Sequence, residues 1–87
     1  MIKYYWKLNN GEICLYEGSD LVVMTGVPIG RFLVQDRPLS VDQLDKVQLL
    51  LASCDSASIS EFVKSDQGMR ATQKLAQQML EDFPKST

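Results

Sequence analysis

The sequence has no histidine, only two cysteines and no long apolar run, and each shortage excludes a class of function. Without histidine, the commonest general base and the commonest metal ligand of proteins are missing. Two cysteines with no Cys-x-x-Cys spacing are too few for a zinc site or a disulfide scaffold. Gly26 and Gly30 are not followed by the Gly-Lys-Ser/Thr of a phosphate-binding loop. We therefore expect no enzyme, no metal site and no cofactor.

Charge of one sign is not concentrated anywhere in the chain. Eleven acidic and nine basic residues give a net charge of −2, and the basic residues are scattered. A partner with a phosphate backbone is therefore not expected. The apolar stretches are too short to cross a bilayer, and the first residues lack the apolar segment of a signal peptide. These features predict a cytoplasmic protein with no membrane segment, in which Cys14 and Cys54 are buried, reduced thiols.

What the sequence does contain is a globular composition, with 45% apolar residues over 87 positions. This length suits one domain, residues 1–87. The chain changes character near residue 40. We expect a strand-rich part at 1–36, a helical part at 37–83 and a tail at 84–87.

The strongest local signal is the Asn9-Asn10-Gly11 turn. Asn-Gly accepts the positive φ angles of a type I′ turn, which predicts a two-residue hairpin and fixes its register. Asn9 then faces Glu12, and Tyr5 faces Tyr16. Because side chains alternate across the strands, one face is apolar and belongs to the core: Ile2, Tyr4, Trp6, Leu8, Ile13 and Leu15. The other face is mixed: Lys3, Tyr5, Lys7, Glu12, Cys14 and Tyr16.

Two further strands are expected before the helices. Residues 21–25 are rich in β-branched side chains, which favour a third strand. Depending on its register, this strand adds either Val22 and Met24 or Leu21 and Val23 to the mixed face. Residues 31–35 predict a fourth strand, with Phe32 and Val34 pointing inward.

Helix signals begin at Ser40, which forms a capping box with Gln43. A stripe of apolar residues at helical spacing then predicts a helix over about 41–53. Ser58 and Glu61 form a second capping box that opens a short helix. A last helix is expected over about 67–82, although the pattern leaves open whether 58–82 is one helix or two.

Together these elements predict an α+β fold. An N-terminal antiparallel β-meander of three or four strands carries two or three C-terminal helices packed on one face. The core is expected where the apolar hairpin face meets the helices, through Leu44, Val47, Leu51, Met79 and Leu80. Trp6 should contribute the most to it.

Because the helices are expected to pack on the apolar face of the sheet, no helix is expected to cover the mixed face. The candidate interaction surface on that face consists of Lys3, Tyr5, Lys7, Cys14 and Tyr16. Tyrosine and methionine are enriched in protein interfaces. The chain is therefore expected to be a small non-catalytic protein-interaction or regulatory module, which binds another protein or associates with a second copy as a homodimer.

The sequence leaves two alternative functions open. Aromatic side chains on a sheet with lysines nearby can stack nucleic-acid bases, so a single-stranded nucleic-acid-binding sheet would use Tyr5, Tyr16, Lys3 and Lys7. The negative net charge makes that partner the less favoured one. A small-molecule-binding module is the other alternative, and it would require a preformed apolar cavity.

Overall fold

The computed structural model describes residues 4–28 and 36–82 of the chain. Strands come first and helices follow, which confirms the α+β fold predicted from the sequence. The strands are β1 (Tyr4–Asn9), β2 (Glu12–Glu17), β3 (Asp20–Pro28) and β4 (Arg37–Pro38). The helices are α1 (Val41–Ser53), α2 (Ile59–Phe62) and α3 (Asp66–Met79), which ends in a 3-10 turn at Leu80–Asp82.

The β1–β2 hairpin has the register that the Asn-Gly turn predicts. Asn10 and Gly11 both have positive φ, at 54° and 79°. Pairing runs without a shift from Asn9 opposite Glu12 to Tyr4 opposite Glu17. The assignment of side chains to the two faces of the hairpin is therefore confirmed for the described residues.

Sheet order is β3-β2-β1-β4, so the first three strands form a meander and β4 lies beside β1. Tyr5 pairs with Pro38 and Trp6 with Arg37, and the next amide along, Leu39 N, donates to Tyr4 O at 3.2 Å. Residues 37 and 38 therefore belong to the sheet, although the sequence placed them in the helical part. The fourth strand predicted at 31–35 lies outside the described residues.

Serine side chains begin all three helices. Ser40 and Gln43 form the complete capping box at the start of α1. Ser58 accepts from the backbone N–H of Glu61, and Ser65 accepts from that of Gly68. Because Ser65 is extended, α2 and α3 are separate helices, and this resolves the alternative that the sequence left open.

The core lies between the apolar hairpin face and the helices, as predicted. Trp6 is 1% exposed, and it has the largest side chain among the fully buried residues. Leu8, Leu44 and Leu51 are only partly buried at the margin of this core. The other predicted core residues, Ile2, Phe32 and Val34, lie outside the described residues. The most buried apolar residues of this core are Trp6, Ile13, Leu15, Val47, Ile59, Ala76, Met79 and Leu80.

Gln43 is a buried polar side chain that joins three elements. Its Oε1 accepts from Trp6 Nε1 at 3.4 Å and from Ser40 N at 3.0 Å. Its Nε2 donates to Met79 O at 3.2 Å. The amide thus ties β1, the start of α1 and the end of α3 together, and it satisfies polar groups that would be costly to bury alone.

Helix α3 covers part of the free edge of β3. Gln73 Nε2 donates to Met24 O at 2.9 Å, and Gln77 Nε2 donates to Thr25 O at 2.6 Å. Side-chain amides four residues apart lie on the same side of a helix, so one stripe of α3 runs along the strand. An edge covered in this way is protected from pairing with another chain. Among the described helices, none has the length and apolar character needed to cross a membrane.

Candidate interaction surface

The sheet face opposite the helices is the candidate interaction surface, here called the outer face. Alternation along β1 and β2 assigns to it every second residue of the hairpin, while Trp6 and Leu15 point to the core. Lys3, which the sequence also places here, lies outside the described residues. The hairpin residues of the outer face are Tyr5, Lys7, Asn9, Glu12, Cys14 and Tyr16.

An ordered aromatic pair occupies the centre of the outer face. The rings of Tyr5 and Tyr16 stack with centroids 5.6 Å apart and an interplanar angle of 22°. Lys7 Nζ lies 5.5 Å from the centroid of the Tyr16 ring, and Asn9 Nδ2 donates to the Tyr16 hydroxyl at 3.0 Å. Stacking, the cation and the hydrogen bond together hold Tyr16 in one orientation.

Cys14 shares this face by register, but none of its surface is exposed. Cys14 was expected both as a buried thiol and as part of the interaction surface. Its burial confirms the first expectation, and a side chain with no exposed surface does not take part in a contact. Burial raises the pKa of the Cys14 thiol, and the nearby Glu12 carboxylate adds to that rise. Lys7, which lies opposite Cys14, therefore does not lower the pKa of this thiol. Cys14 instead acts as a buried packing residue of the hairpin.

Strand β3 adds Leu21 and Met24 to the outer face, a combination that neither register considered from the sequence contains. Tyr16 pairs with Leu21 and Cys14 with Met24, with a register shift between Leu15 and Tyr16. A bulge of this kind inserts one residue and breaks the two-residue alternation. Leu21 is 42% exposed and Met24 is 37% exposed, so both extend the aromatic pair as an apolar surface.

The cavities of the described residues lie at the margins of the sheet. One of about 270 Å³ adjoins the outer face and is lined by Tyr5, Asp36, Arg37 and Pro38. A groove of about 320 Å³ runs between β3 and α3 and includes Met69 and Gln73. A third, of about 500 Å³, lies beside Tyr4 on the helical side. Within the described part of the chain, no three metal-ligating side chains come together.

Sequence reasoning missed Asn9 as a member and Met69 as a neighbour of this surface, and it placed Leu21 and Met24 in two alternative registers of the third strand. Asn9 was identified only as a turn residue opposite Glu12, although the alternation of the hairpin places it on the same face as Tyr16. Leu21 depends on a bulge, and Met69 depends on where α3 meets β3. Local periodicity indicates neither the bulge nor the contact between the helix and the strand.

On the core side, the buried Tyr4 is hydrogen-bonded to the partly buried Glu17 of β2, which also contacts the start of α2. Glu17 Oε2 accepts from Ile59 N at 3.2 Å. The pKa of the Tyr4 phenol lies well above its ordinary value, first because the ring is buried and second because it is hydrogen-bonded to the Glu17 carboxylate. The folded protein therefore holds the proton of the Tyr4 phenol to a higher pH than the unfolded chain does.

The raised pKa values of Tyr4 and Cys14 predict that the protein loses stability in alkali. The folded state keeps protons that the unfolded chain releases, so the free energy of unfolding falls as pH rises above the ordinary values of 9.0 for the thiol and 10.0 for the phenol. Urea titrations between about pH 7 and 11 measure this fall. The Tyr4→Phe variant should show a shallower decline above about pH 10. An identical decline in both proteins would contradict the role given to Tyr4.

Comparison of the chain with protein-family models, with curated proteins and with solved structures finds no match.

Proposed function

We propose that this chain is a small, non-catalytic protein-interaction module with a regulatory role, and that its outer face binds a second copy. One observation carries the proposal: a stacked tyrosine pair, held in place by Lys7 and Asn9, is continuous with exposed Leu21 and Met24. These side chains lie on the face of the sheet that the helices leave open.

The ordering of the aromatic pair favours binding. Tyrosines dominate interface energetics because they offer a large contact area and lose little conformational entropy. Tyr16 is already fixed by three neighbours, so association costs less ordering than it would for a mobile ring. Contiguous apolar surface of this kind is the usual mark of a protein–protein contact.

The charge pattern of the outer face supports a second copy as the partner. Lys7 and Glu12 carry opposite charges on the same face, and the Glu12 carboxylate accepts from Gly26 N at 2.6 Å. A face that is close to neutral does not repel its own copy, and two-fold dimers are the commonest homo-oligomers. A chain of 87 residues has a small core and gains stability from burying this surface.

Tyr16→Glu should abolish association through the outer face. The change places a carboxylate against the Tyr5 ring and removes the stack at the centre of the contact. We expect the dissociation constant to rise by at least about a hundredfold, as for the loss of a central interface residue. Sedimentation equilibrium over a range of protein concentrations measures this change.

Two control variants make the result interpretable. Tyr16→Phe keeps the ring and loses only the hydrogen bond from Asn9, so it should still associate. Gln78→Glu adds the same charge at an exposed site on α3, away from the sheet face, and should behave as the wild type. A wild-type protein that stays monomeric at about 1 mM would overturn the proposal.

Single-stranded nucleic acid remains the alternative partner of this face, through Tyr5, Tyr16, Lys3 and Lys7. The two rings already stack on each other, so one face of each ring is not available to a base. Titration with a labelled oligonucleotide distinguishes nucleic-acid binding from protein association. Nucleic-acid binding would weaken steeply with salt and with Lys7→Ala, whereas protein association through apolar contacts would not.

A small-molecule ligand is the third possibility from the sequence. The cavity beside the outer face, of about 270 Å³, lies below the usual range of about 300–1,000 Å³ for ligand pockets, whereas those of about 320 and 500 Å³ lie within it. If the chain is a protein-interaction module, a panel of metabolites should leave the melting temperature of the protein unchanged. A reproducible rise with one compound would favour this class instead.

A further inference from the structure

A row of four side chains crosses the outer face from one edge of the described sheet to the other. Tyr16 pairs with Leu21 on β3 and with Tyr5 on β1. Tyr5 in turn pairs with Pro38 on β4. Residues directly opposite each other on neighbouring strands point to the same face of the sheet. The four side chains therefore share one level along the strands and are called the transverse row: Leu21, Tyr16, Tyr5 and Pro38.

The two ends of the transverse row have complementary shapes. At the β3 end, the Leu21 side chain is 42% exposed on the edge strand of the described sheet. At the β4 end lies the cavity of about 270 Å³, which is lined by Tyr5, Asp36, Arg37 and Pro38. A cavity of about 150 Å³ already accommodates a molecule the size of benzene, so this one is large enough for a leucine side chain. One end of the row therefore offers an apolar side chain, and the other end offers a space that fits it.

Two copies that meet through their outer faces are related by a two-fold axis parallel to the sheets, which runs either along the strands or across them. An axis along the strands, between β1 and β2, reverses the strand order and places β3 of one copy over β4 of the other. Because rotation about that axis causes no shift along the strands, Leu21 of one copy then faces the cavity of the other, and Tyr16 faces Tyr5. An axis across the strands instead places β3 over β3 and β4 over β4, so both cavities stay empty.

The charge of Lys7 favours the axis along the strands. Lys7 is exposed and lies at the next level of the outer face, opposite Cys14. With the axis along the strands, β1 lies over β2 of the second copy, so Lys7 faces Cys14, whose side chain is fully buried. With an axis across the strands at this level, Lys7 would oppose Lys7 of the second copy, and like charges placed against each other are unfavourable. Shape and charge therefore favour the same arrangement.

We propose that the cavity beside Tyr5 is the binding site for Leu21 of a second copy, in a dimer whose two-fold axis runs along the strands between β1 and β2. This inference rests on the proposed function, because it requires the outer face to be the interface. The contact occurs twice, once at each end of the two transverse rows, so the dimer is closed. Between the two contacts, the tyrosine pairs of both copies lie against each other, since stacked sheets pack about 10 Å apart.

The test is site-specific crosslinking between two variant chains. One chain carries Leu21→Cys and the other Pro38→Cys, both at exposed sites, and Cys54→Ser removes the half-buried native thiol from each. Cys14 stays in place because it is fully buried. A short bis-maleimide reagent is added to the equimolar mixture at a concentration at which sedimentation equilibrium shows dimers. A denaturing gel then measures the covalent dimer.

The mixture should give at least about ten times more covalent dimer than either chain alone, because the new thiols approach each other only in the mixed dimer. The two copies of residue 21 lie at opposite edges of the dimer, three strand spacings or about 14 Å apart. In the matched control mixture, Gln78→Cys at an exposed site on α3 replaces Leu21→Cys and should give no increase. Adding Tyr16→Glu to both chains should abolish the link, since the tyrosine pairs lie between the two contacts.

The outcomes separate this inference from the proposed function. A wild-type protein that stays monomeric at about 1 mM would overturn both, and so would a link that persists with Tyr16→Glu. If Tyr16→Glu dissociates the dimer but Leu21→Cys alone is linked as efficiently as the mixture, β3 lies over β3, and only this inference is overturned. Dimers that Tyr16→Glu dissociates but that give no link in any combination would also overturn this inference alone. A link confined to the mixture and removed by Tyr16→Glu supports both.

Discussion

Replacing Trp6 with alanine should lower the free energy of unfolding by about 3–5 kcal/mol, the range measured for large-to-small changes at buried aromatic sites. Trp6 is 1% exposed and contacts the core between the hairpin and the helices. Its indole Nε1 donates to Gln43, which also binds the end of α3. The variant therefore loses buried apolar area and one anchor of the polar link across the core.

A loss of this size is close to the whole stability of a domain this small, on the order of 5 kcal/mol. We expect the Trp6→Ala protein to be largely unfolded at 37 °C, as measured by far-ultraviolet circular dichroism and urea titration. Lys7→Ala, at the next position on the opposite and exposed side of the strand, is the matched control and should change stability by less than about 0.5 kcal/mol. An unchanged melting temperature for Trp6→Ala would contradict the placement of this face in the core.

The hairpin was predictable because two local rules act together there. Asn10-Gly11 accepts positive φ and sets the register, and the two-residue period then determines which side chains share a face. Trp6 and Tyr16 are therefore assigned to opposite faces before any tertiary contact is known. Helix starts at Ser40 and Ser58 were predictable for the same reason, because a capping serine acts on backbone groups within three residues.

Strand β3 was less predictable because its register is irregular. Shifts between Ile13 and Cys14 and between Leu15 and Tyr16 break the alternation twice. Gly26, with φ of 75°, is of the one residue type that adopts such a conformation readily, as an irregular strand requires. A bulge gains its stability from the partner strand, so the sequence of β3 alone does not specify it.

The candidate surface was predictable in its centre and not at its margins. The cross-strand pair of Tyr5 and Tyr16 follows from the hairpin register. The burial of Cys14 does not follow from the hairpin register, because alternation assigns a side chain to a face of the sheet and does not say what covers that face. Met69 joins Leu21 only because Gln73 and Gln77 hold α3 along β3, a long-range contact that local patterns do not encode.

Gly68→Ala should be the second strongly destabilising change, with a loss of about 3 kcal/mol from overpacking. Gly68 is buried in the first turn of α3, where the backbone of Phe62 at the end of α2 approaches closely. A β-carbon at residue 68 would lie 2.8 Å from the carbonyl carbon of Phe62 and closer still to its oxygen. Because these are backbone atoms, the two helices must separate to admit the methyl group.

The sign of this effect distinguishes packing from helix propensity. In an unobstructed helix, replacing glycine with alanine stabilises by about 1 kcal/mol, so propensity alone predicts a more stable protein. Gln67→Ala, one residue earlier in α3 and exposed, is the matched control and should be neutral or slightly stabilising. Urea titrations of both variants give the two free energies of unfolding. A Gly68→Ala protein as stable as the wild type would mean that α2 and α3 are not held together at Phe62 in solution. The expected loss would instead show that glycine is required here by the close approach of two helices.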